Sequence, residues 1–254
     1  MSFPQAIFLS VIQGLTEFLP ISSSGHLVIF QKIFNLDPPI WFDITLHIGT
    51  LGAVIFFLKK RLRRILEGLL RGDKEQLRLI GQLILGTAPA VLIGLGVSFF
   101  EEVIFNSVRL VGLMLLLTAF FLFSTVNGKR KKELSQLNWR EILLIGFFQG
   151  LAVFPGVSRS GATLAAGLGQ GLSPSAAFDF SFLLAVPAVT GAFFLKLPQL
   201  LGLPSEVLIQ GGVGLVVAGV VGYFSLKALR LVLVSNKLWL FGIYCFLLGG
   251  WLFF

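Results

Sequence analysis

Residues Gln13 to Leu27 read QGLTEFLPISSSGHL, a polar insertion in the middle of an apolar run. The stretch begins as a helix, is broken at Pro20, and resumes through Ser22-Ser23-Ser24-Gly25-His26. Proline lacks the N–H that the helix ladder needs, so one unbroken helix cannot pass through this point. The same pattern returns 136 residues later, where Gln149 to Thr163 reads QGLAVFPGVSRSGAT and matches at seven of fifteen positions. The second copy has no acid and no histidine but carries Arg159. The two copies read as the two halves of one site.

The surrounding composition says where that site lies. Of 254 residues, 56% are hydrophobic and 13% are charged, and mean hydropathy is +0.91. That exceeds what a water-soluble core requires and defines an integral membrane protein. The apolar runs are continuous over about 18 residues, a length suited to helices crossing ~30 Å of hydrocarbon rather than to barrel strands. The N-terminal MSFPQ has no basic segment, so no cleaved signal is expected. Cys245 is the single cysteine, which excludes an intramolecular disulfide and thiolate metal binding. A net charge of +8 raises nucleic acid as a partner, but its distribution fits loops at a membrane surface and argues for no nucleic acid.

Residues 3–34 are long enough to span, yet are interrupted at mid-depth, where irregular backbone is tolerated only inside protein or beside a wet cavity. They are expected to form a re-entrant hairpin of two short helices, stopped by Asp37-Pro38-Pro39. Six spans follow, at about 41–58, 80–98, 107–126, 176–196, 209–228 and 237–254. Sixteen of the 20 Lys and Arg fall in segments 59–78, 127–140 and 227–237. The positive-inside rule puts these three segments in the cytoplasm, and Glu101-Glu102 and both termini outside. Phe42-Asp43 and Phe178-Asp179 repeat at the same spacing as the motif, as do Lys60 and Lys196. Each half then holds one broken hairpin and three spans, and an odd number of crossings turns the second half upside down. The expected fold is a single all-α membrane domain with an inverted-topology repeat, about 1–136 and 137–254. It holds six transmembrane helices and two re-entrant helical hairpins whose tips meet.

The tips have the chemistry of an anion site. Arg159 keeps its charge at any relevant pH and offers a planar fork that fits phosphate oxygens. Ser158-Arg159-Ser160-Gly161 and Ser22-Ser23-Ser24-Gly25 each open a helix, whose first N–H groups and dipole favour negative charge. Glu17 can hold a divalent cation or act as a base. His26 can carry a proton or attack phosphorus, and Ser23 becomes a nucleophile if a base activates it.

Plainer roles compete for several of these residues. Ser22, Ser24 and Ser160 can each bond back to their own helical turn. Gln13 and Gln149 can satisfy backbone freed at the breaks. His47 lies one turn from Asp43 and is expected to make a structural hydrogen bond, while Lys196 snorkels to an interface. Glu17, His26 and Arg159 together have no such account, because ionisable groups inside a membrane are costly and mark function.

At these residues the chain resembles the bacitracin-resistance family of undecaprenyl-diphosphatases. The resemblance rests on Gln13-Gly14-Leu15-Thr16-Glu17, on Pro20-Ile21-Ser22-Ser23-Ser24-Gly25-His26, and on Pro155-Gly156-Val157-Ser158-Arg159-Ser160-Gly161 followed by Thr163. It covers essentially the whole chain. It implies removal of the terminal phosphate from a C55 isoprenyl diphosphate, a divalent cation (Mg or Ca), a site open to the outer face, and recycling of a lipid carrier for peptidoglycan. It places the catalytic set on Glu17, Ser23, His26 and Arg159, and substrate contacts on Ser22, Ser24, Gly25, Ser158, Ser160 and Thr163. The family admits Glu where this chain has Gln13, which leaves Glu17 as the single acid of the motif. Ser23 and His26 both stand as candidate nucleophiles.

The sequence therefore points to a lipid diphosphatase of the bacterial inner membrane, with the bilayer and undecaprenyl diphosphate as partners. It admits a homodimer without requiring one. The rival is a transporter or flippase for an anionic isoprenyl lipid or small anion, since inverted repeats with broken helices also build alternating access. A carrier has use for Arg159 and the helix ends, but little for Glu17 beside Ser23 and His26.

Overall fold

The computed structural model describes residues 1–36, 40–100, 104, 107–126, 130–200 and 205–254. The Asp37-Pro38-Pro39 stop, the acidic turn Glu101-Glu102 and Lys129 lie outside the described residues. Among those described, eleven α-helices carry the fold: α1 (Phe3–Phe18), α2 (Ser23–Ile33), α3 (Ile40–Phe57), α4 (Lys59–Leu70), α5 (Lys74–Val97), α6 (Val108–Phe123), α7 (Trp139–Leu151), α8 (Arg159–Gly169), α9 (Pro174–Lys196), α10 (Ser205–Val234) and α11 (Trp239–Phe253).

The helix ends follow local chemistry. Asp73, Ser107, Asn138, Ser158 and Ser173 each accept a first-turn N–H at the start of α5, α6, α7, α8 and α9. Pro174 opens α9, where its missing N–H costs nothing. Both interrupted stretches form helix–break–helix hairpins, α1–α2 around Pro20 and α7–α8 around Pro155-Gly156.

Among the described residues three helices are long and apolar enough to cross a membrane: α5, α9 and residues Leu208–Val234 of α10. The expected span at 41–58 is instead the first arm of a pair, because α3 and α4 are bent by 73° at Leu58. The basic run Lys59-Lys60-Arg61 begins at that point, so the bend carries charge away from the apolar axis of α3. Helices α6 and α11 are apolar but only 16 and 15 residues long.

Uncharged polar side chains are buried among the apolar core, while large apolar ones lie on the outside. Ser10, Gln13, Thr118 and Ser160 have no exposed surface, whereas Leu92, Phe120, Leu231 and Trp251 each expose about seven-tenths of theirs. Apolar groups on the outside and polar groups within are what lipid as a solvent dictates.

Small residues set the packing, as expected where lipid tails compete for apolar contact. Helix α1 lies along α10 and α7 along α5, while α6 lies along α11. The two long helices carry the same stripe, Gly86/Ala90/Gly94 in α5 and Gly214/Ala218/Gly222 in α10. A Cβ on Gly146 of α7 would sit 2.2 Å from the Gly86 carbonyl, and one on Gly14 of α1 would sit 2.8 Å from that of Ala218. Helices α6 and α11 cross where Gly112 meets Gly249. A Cβ on either glycine would reach 2.9 or 2.8 Å from the other's carbonyl oxygen.

Substituting Gly249→Leu should therefore force α6 and α11 apart, at a cost of about 1–3 kcal/mol, as for overpacking in other cores. Gly250 has nothing within 4 Å of a built Cβ. Thermal unfolding in detergent should show a clear loss of stability for Gly249→Leu and little change for Gly250→Leu.

Candidate active site

The two hairpin tips interlock reciprocally. Gly25 of the first packs on Gly156 of the second, with a built Cβ 3.2 Å from the Gly156 Cα. Gly161 of the second packs on Pro20 of the first, at 3.1 Å. The two tips also share a local motif. Ser22 Oγ accepts the Gly25 N–H at 3.2 Å, and Ser158 Oγ accepts the Gly161 N–H at 3.2 Å. In each, the next hydroxyl but one is close: Ser24 Oγ lies 3.3 Å from Ser22 Oγ, and Ser160 Oγ lies 3.2 Å from Ser158 Oγ. Ser22 does more than Ser158, because its Oγ also accepts the Gly156 N–H at 3.1 Å. To do so it holds φ at 68°, a left-handed conformation that costs a residue with a Cβ.

Neighbouring helices brace the tips. Thr118 of α6 accepts the Ser158 N–H at 3.0 Å and donates to the Gly156 carbonyl at 2.9 Å. On the other side α11 supplies Tyr244 and Cys245. The Cys245 thiol lies 3.6 Å from the Pro20 carbonyl, and the Tyr244 hydroxyl is 2.7 Å from His26 Nε2. His26 Nδ1 lies 2.7 Å from the Ser22 carbonyl, which can only accept, so that nitrogen carries a proton. In the neutral ring, Nε2 then accepts from Tyr244.

Glu17 is the centre. Its carboxylate, 8% exposed, accepts the Ser23 hydroxyl on Oε2 at 2.5 Å and the Arg159 Nη2 on Oε1 at 2.9 Å. Gln13 Nε2 also donates to Oε2, at 3.1 Å. Arg159 sits with its guanidinium 5.8 Å from the Phe182 ring centre, and its Nη1 is buried with no hydrogen-bond partner. Gln13 Oε1 and both amide atoms of Gln149, the matching residue of the second copy, are likewise buried and unpartnered. The orphaned Arg159 Nη1 and Gln13 Oε1, on residues that both bond Glu17, mark a place where something polar can bind.

The structure brings Glu17, Ser23, Arg159 and Gln13 together. His26 lies one turn along α2 with both nitrogens engaged elsewhere. Ser22, Gly25 and Ser158 hold the tips together, and Ser160 is wholly buried behind Ser158. Thr163 is turned inward, bonded to the Arg159 carbonyl at 2.8 Å and to Ser181 Oγ at 2.6 Å. Ser24 is the partly exposed hydroxyl of its run.

His47 is the residue that the sequence undervalued. Its Nδ1 makes the expected structural bond, to the Asp43 backbone carbonyl at 2.8 Å, but its Nε2 then points at Glu17 Oε2 from 3.7 Å. With a third of its side chain exposed, it lies at the open side of the site. Tyr244 also reaches the site, and it is one of only two tyrosines in a chain with 27 phenylalanines. A hydroxyl retained in such a background needs a partner.

Among the described residues no cluster of three or more His, Cys, Asp or Glu could enclose a metal ion. One carboxylate, Glu17, and one free amide oxygen, Gln13 Oε1, fit a hard cation only if substrate oxygens complete its shell, as is usual for Mg²⁺ at phosphate sites.

A polytopic helical membrane protein with a buried carboxylate–arginine–serine centre at two helix N-termini is a candidate for phosphate chemistry within the bilayer. Residues 6–251 match the family described as bacitracin resistance protein BacA, and the chain belongs to that family. It is 38% identical to an undecaprenyl-diphosphatase of Methanococcus maripaludis over 96% of both chains. It is 40% identical to one of Desulfosudis oleivorans, over 97% of this chain and 96% of the relative. It is 40% identical to one of Thermosipho africanus, over 96% of both.

Ser22→Ala should leave the Gly25 and Gly156 N–H groups without an acceptor at the point where the tips meet. The expected loss is about 1–3 kcal/mol, the usual cost of an unsatisfied buried donor. Denaturation of the purified variant in detergent reads it directly, and a stability equal to wild type would show that the tips are held by other contacts.

Proposed function

We propose that this protein is an integral membrane phosphatase that hydrolyses undecaprenyl diphosphate to undecaprenyl phosphate and inorganic phosphate. In that role it recycles the lipid carrier for peptidoglycan synthesis and confers resistance to bacitracin. Membership of the family and the names of the relatives support this reading. The observation that carries the chemistry is the Ser23 hydroxyl donating to Glu17 at 2.5 Å, beside an arginine with an unpartnered N–H.

In the mechanism that follows, the terminal phosphate enters between the N-termini of α2 and α8. Arg159 receives its oxygens through Nη1 while Nη2 stays on Glu17. Ser23 Oγ attacks the terminal phosphorus and its proton passes to Glu17. The bond from phosphorus to the bridging oxygen breaks, and that oxygen leaves on undecaprenyl phosphate. Glu17 passes that proton to the departing oxygen and is then free to take one from water, which attacks the phosphoserine; inorganic phosphate leaves as Glu17 returns the proton to Ser23 Oγ. Arg159 and the free N–H groups of both helix starts stabilise the charge that gathers on the transferred group. Glu17 and Gln13 would hold a divalent cation (Mg²⁺ or Ca²⁺) together with substrate oxygens, and a cation there supplies neutralisation of the diphosphate charge. His26, tied to Ser22 and Tyr244, keeps the first tip in shape.

The architecture in the membrane belongs to the same proposal. The order of helices α1–α3, α5 and α6 is repeated by α7–α11, and the reciprocal tip contacts support two inverted halves with six spans and two re-entrant hairpins. The basic segments then face the cytoplasm of a plasma membrane. His47, a third exposed, lies in the first half of α3, away from its basic end, which supports a site open to the outer face. A carrier alone would not need a serine hydroxyl held on a carboxylate, so the phosphatase reading is preferred to the transporter.

Phosphate release from undecaprenyl diphosphate in detergent, with and without chelator, tests the proposal. Glu17→Gln and Ser23→Ala should each lower kcat by about 10²–10⁴, the range for a positioned acid–base group. Arg159→Lys should lose about 10²–10³ with the fold intact, because a point charge cannot serve carboxylate and phosphate at once. Acid quench should trap phosphate on Ser23. Undiminished turnover by Ser23→Ala would transfer the attack to a water held by Glu17, and no release with any divalent ion would defeat the phosphatase.

A further inference from the structure

A cavity of about 330 Å³ lies at the far end of α3, where the bend into α4 meets α9 and α10. His47 and Phe57 are ten residues apart on α3, about 15 Å at 1.5 Å per residue. The cavity is lined by Lys59, Lys60, Arg61, Arg64 and Arg230, against a single acid, Asp179. Arg61 and Arg230 both act electrostatically on that one carboxylate, so most of the positive charge is left without a counterpart. Arg61 Nε is buried and makes no hydrogen bond. The start of α4 adds to this, since Leu58 provides no side-chain cap and the first-turn N–H groups of a helix have no partner within it.

The cavity is separate from the hairpin site. Phe57, which lines it, packs on Phe178 with ring centres 5.7 Å apart, Phe178 on Phe182 at 4.6 Å, and Phe182 on Phe18 at 5.7 Å. Phe18 adjoins Glu17, and Phe18, Phe178 and Phe182 are fully buried. A row of packed aromatic rings therefore lies between the two. Its rim is amphipathic: Phe56 and Phe224 are more than half exposed, with Lys59 4.2 Å from the Phe56 ring centre and Lys227 5.7 Å from that of Phe224. Apolar rings under ammonium groups suit the junction of hydrocarbon and headgroups.

We propose that this cavity is a second anion site, which takes a phosphate group at the end of the protein opposite the hairpin opening. Guanidinium forks and an uncapped helix start, in excess over the one acid Asp179, match a phosphate monoester or diphosphate. The rim would accommodate an isoprenyl chain attached to it, and the same groups would bind free phosphate. The proposal does not depend on which residue attacks in the hairpin site.

Equilibrium binding of radiolabelled inorganic phosphate and of farnesyl monophosphate to the full-length protein in detergent tests it. Two classes of site are expected, and Arg61→Gln/Arg230→Gln should weaken one at least tenfold while phosphate release from undecaprenyl diphosphate continues at the wild-type rate. Loss with both probes identifies free phosphate as a ligand, and loss with farnesyl monophosphate alone identifies a lipid headgroup. Should that pair fail to fold, Lys60→Gln/Arg64→Gln, at exposed positions of the same lining, should weaken the same class several-fold. A single class of site unaffected by either pair overturns the proposal. So does an equal loss in Arg63→Gln/Arg71→Gln, outside the cavity, which would mean diffuse surface charge, or a parallel loss of turnover, which would mean one site.

Discussion

The contact on which the rest depends is the ion pair between Glu17 and Arg159, at 2.9 Å and with both side chains largely buried. Neither charge would persist alone in this interior, where a lone buried ion costs several kcal/mol. The pair joins residues 142 positions apart and fixes the two hairpin tips against each other. It is a weak source of net stability, since desolvation offsets most of the attraction. It is a strong source of specificity, because any arrangement that separates the tips leaves two unpaired charges in an apolar medium.

Bringing two broken helices together also requires backbone to approach backbone. Gly25 on Gly156 and Gly161 on Pro20 make that approach at the tips, and Gly112 on Gly249 makes it where α6 and α11 cross. Gly156 holds φ at 103° in the turn of the second hairpin, a conformation open to glycine and costly for other residues. The freed polar groups of the breaks are then met by Ser22, Thr118 and Ser158. This satisfies the rule that irregular backbone at membrane depth must find its partners within the protein.

Much of this was legible in the sequence, because the duplicated motif is also the duplicated local structure. Ser22 and Ser158 cap their helices in the same way, and the breaks fall at Pro20 and Pro155-Gly156. The meeting of Glu17 with Arg159 could be argued from cost alone, since each needed a partner. The contacts from other helices had no such signal. His47 lies in a segment that reads as an ordinary span, and its turn toward Glu17 depends on how α3 rotates against α1. Tyr244 and Thr118 reach the tips from α11 and α6, whose apolar sequences carry no marker of depth. The bend at Leu58 was hidden for another reason: the apolar run and the basic run adjoin, and only the 73° angle shows that they do not form one rod.

The repeat also explains how one carboxylate can serve both chemistry and grip. Ser23 and Arg159 are the same position of the two motifs, each the first residue of its helix, α2 or α8. Because the tips face each other reciprocally, these equivalent positions approach Glu17 from opposite sides, one on Oε2 and the other on Oε1. A symmetric pair of serines there would leave Glu17 without a countercharge, and a symmetric pair of arginines would leave it without a hydroxyl. Divergence at that one position of the repeat gives Glu17, present in only one copy, a hydroxyl on one oxygen and a cation on the other. The residues at the carboxylate differ between the copies, while Ser22 and Ser158, Gly25 and Gly161, which hold the tips in place, are alike in both.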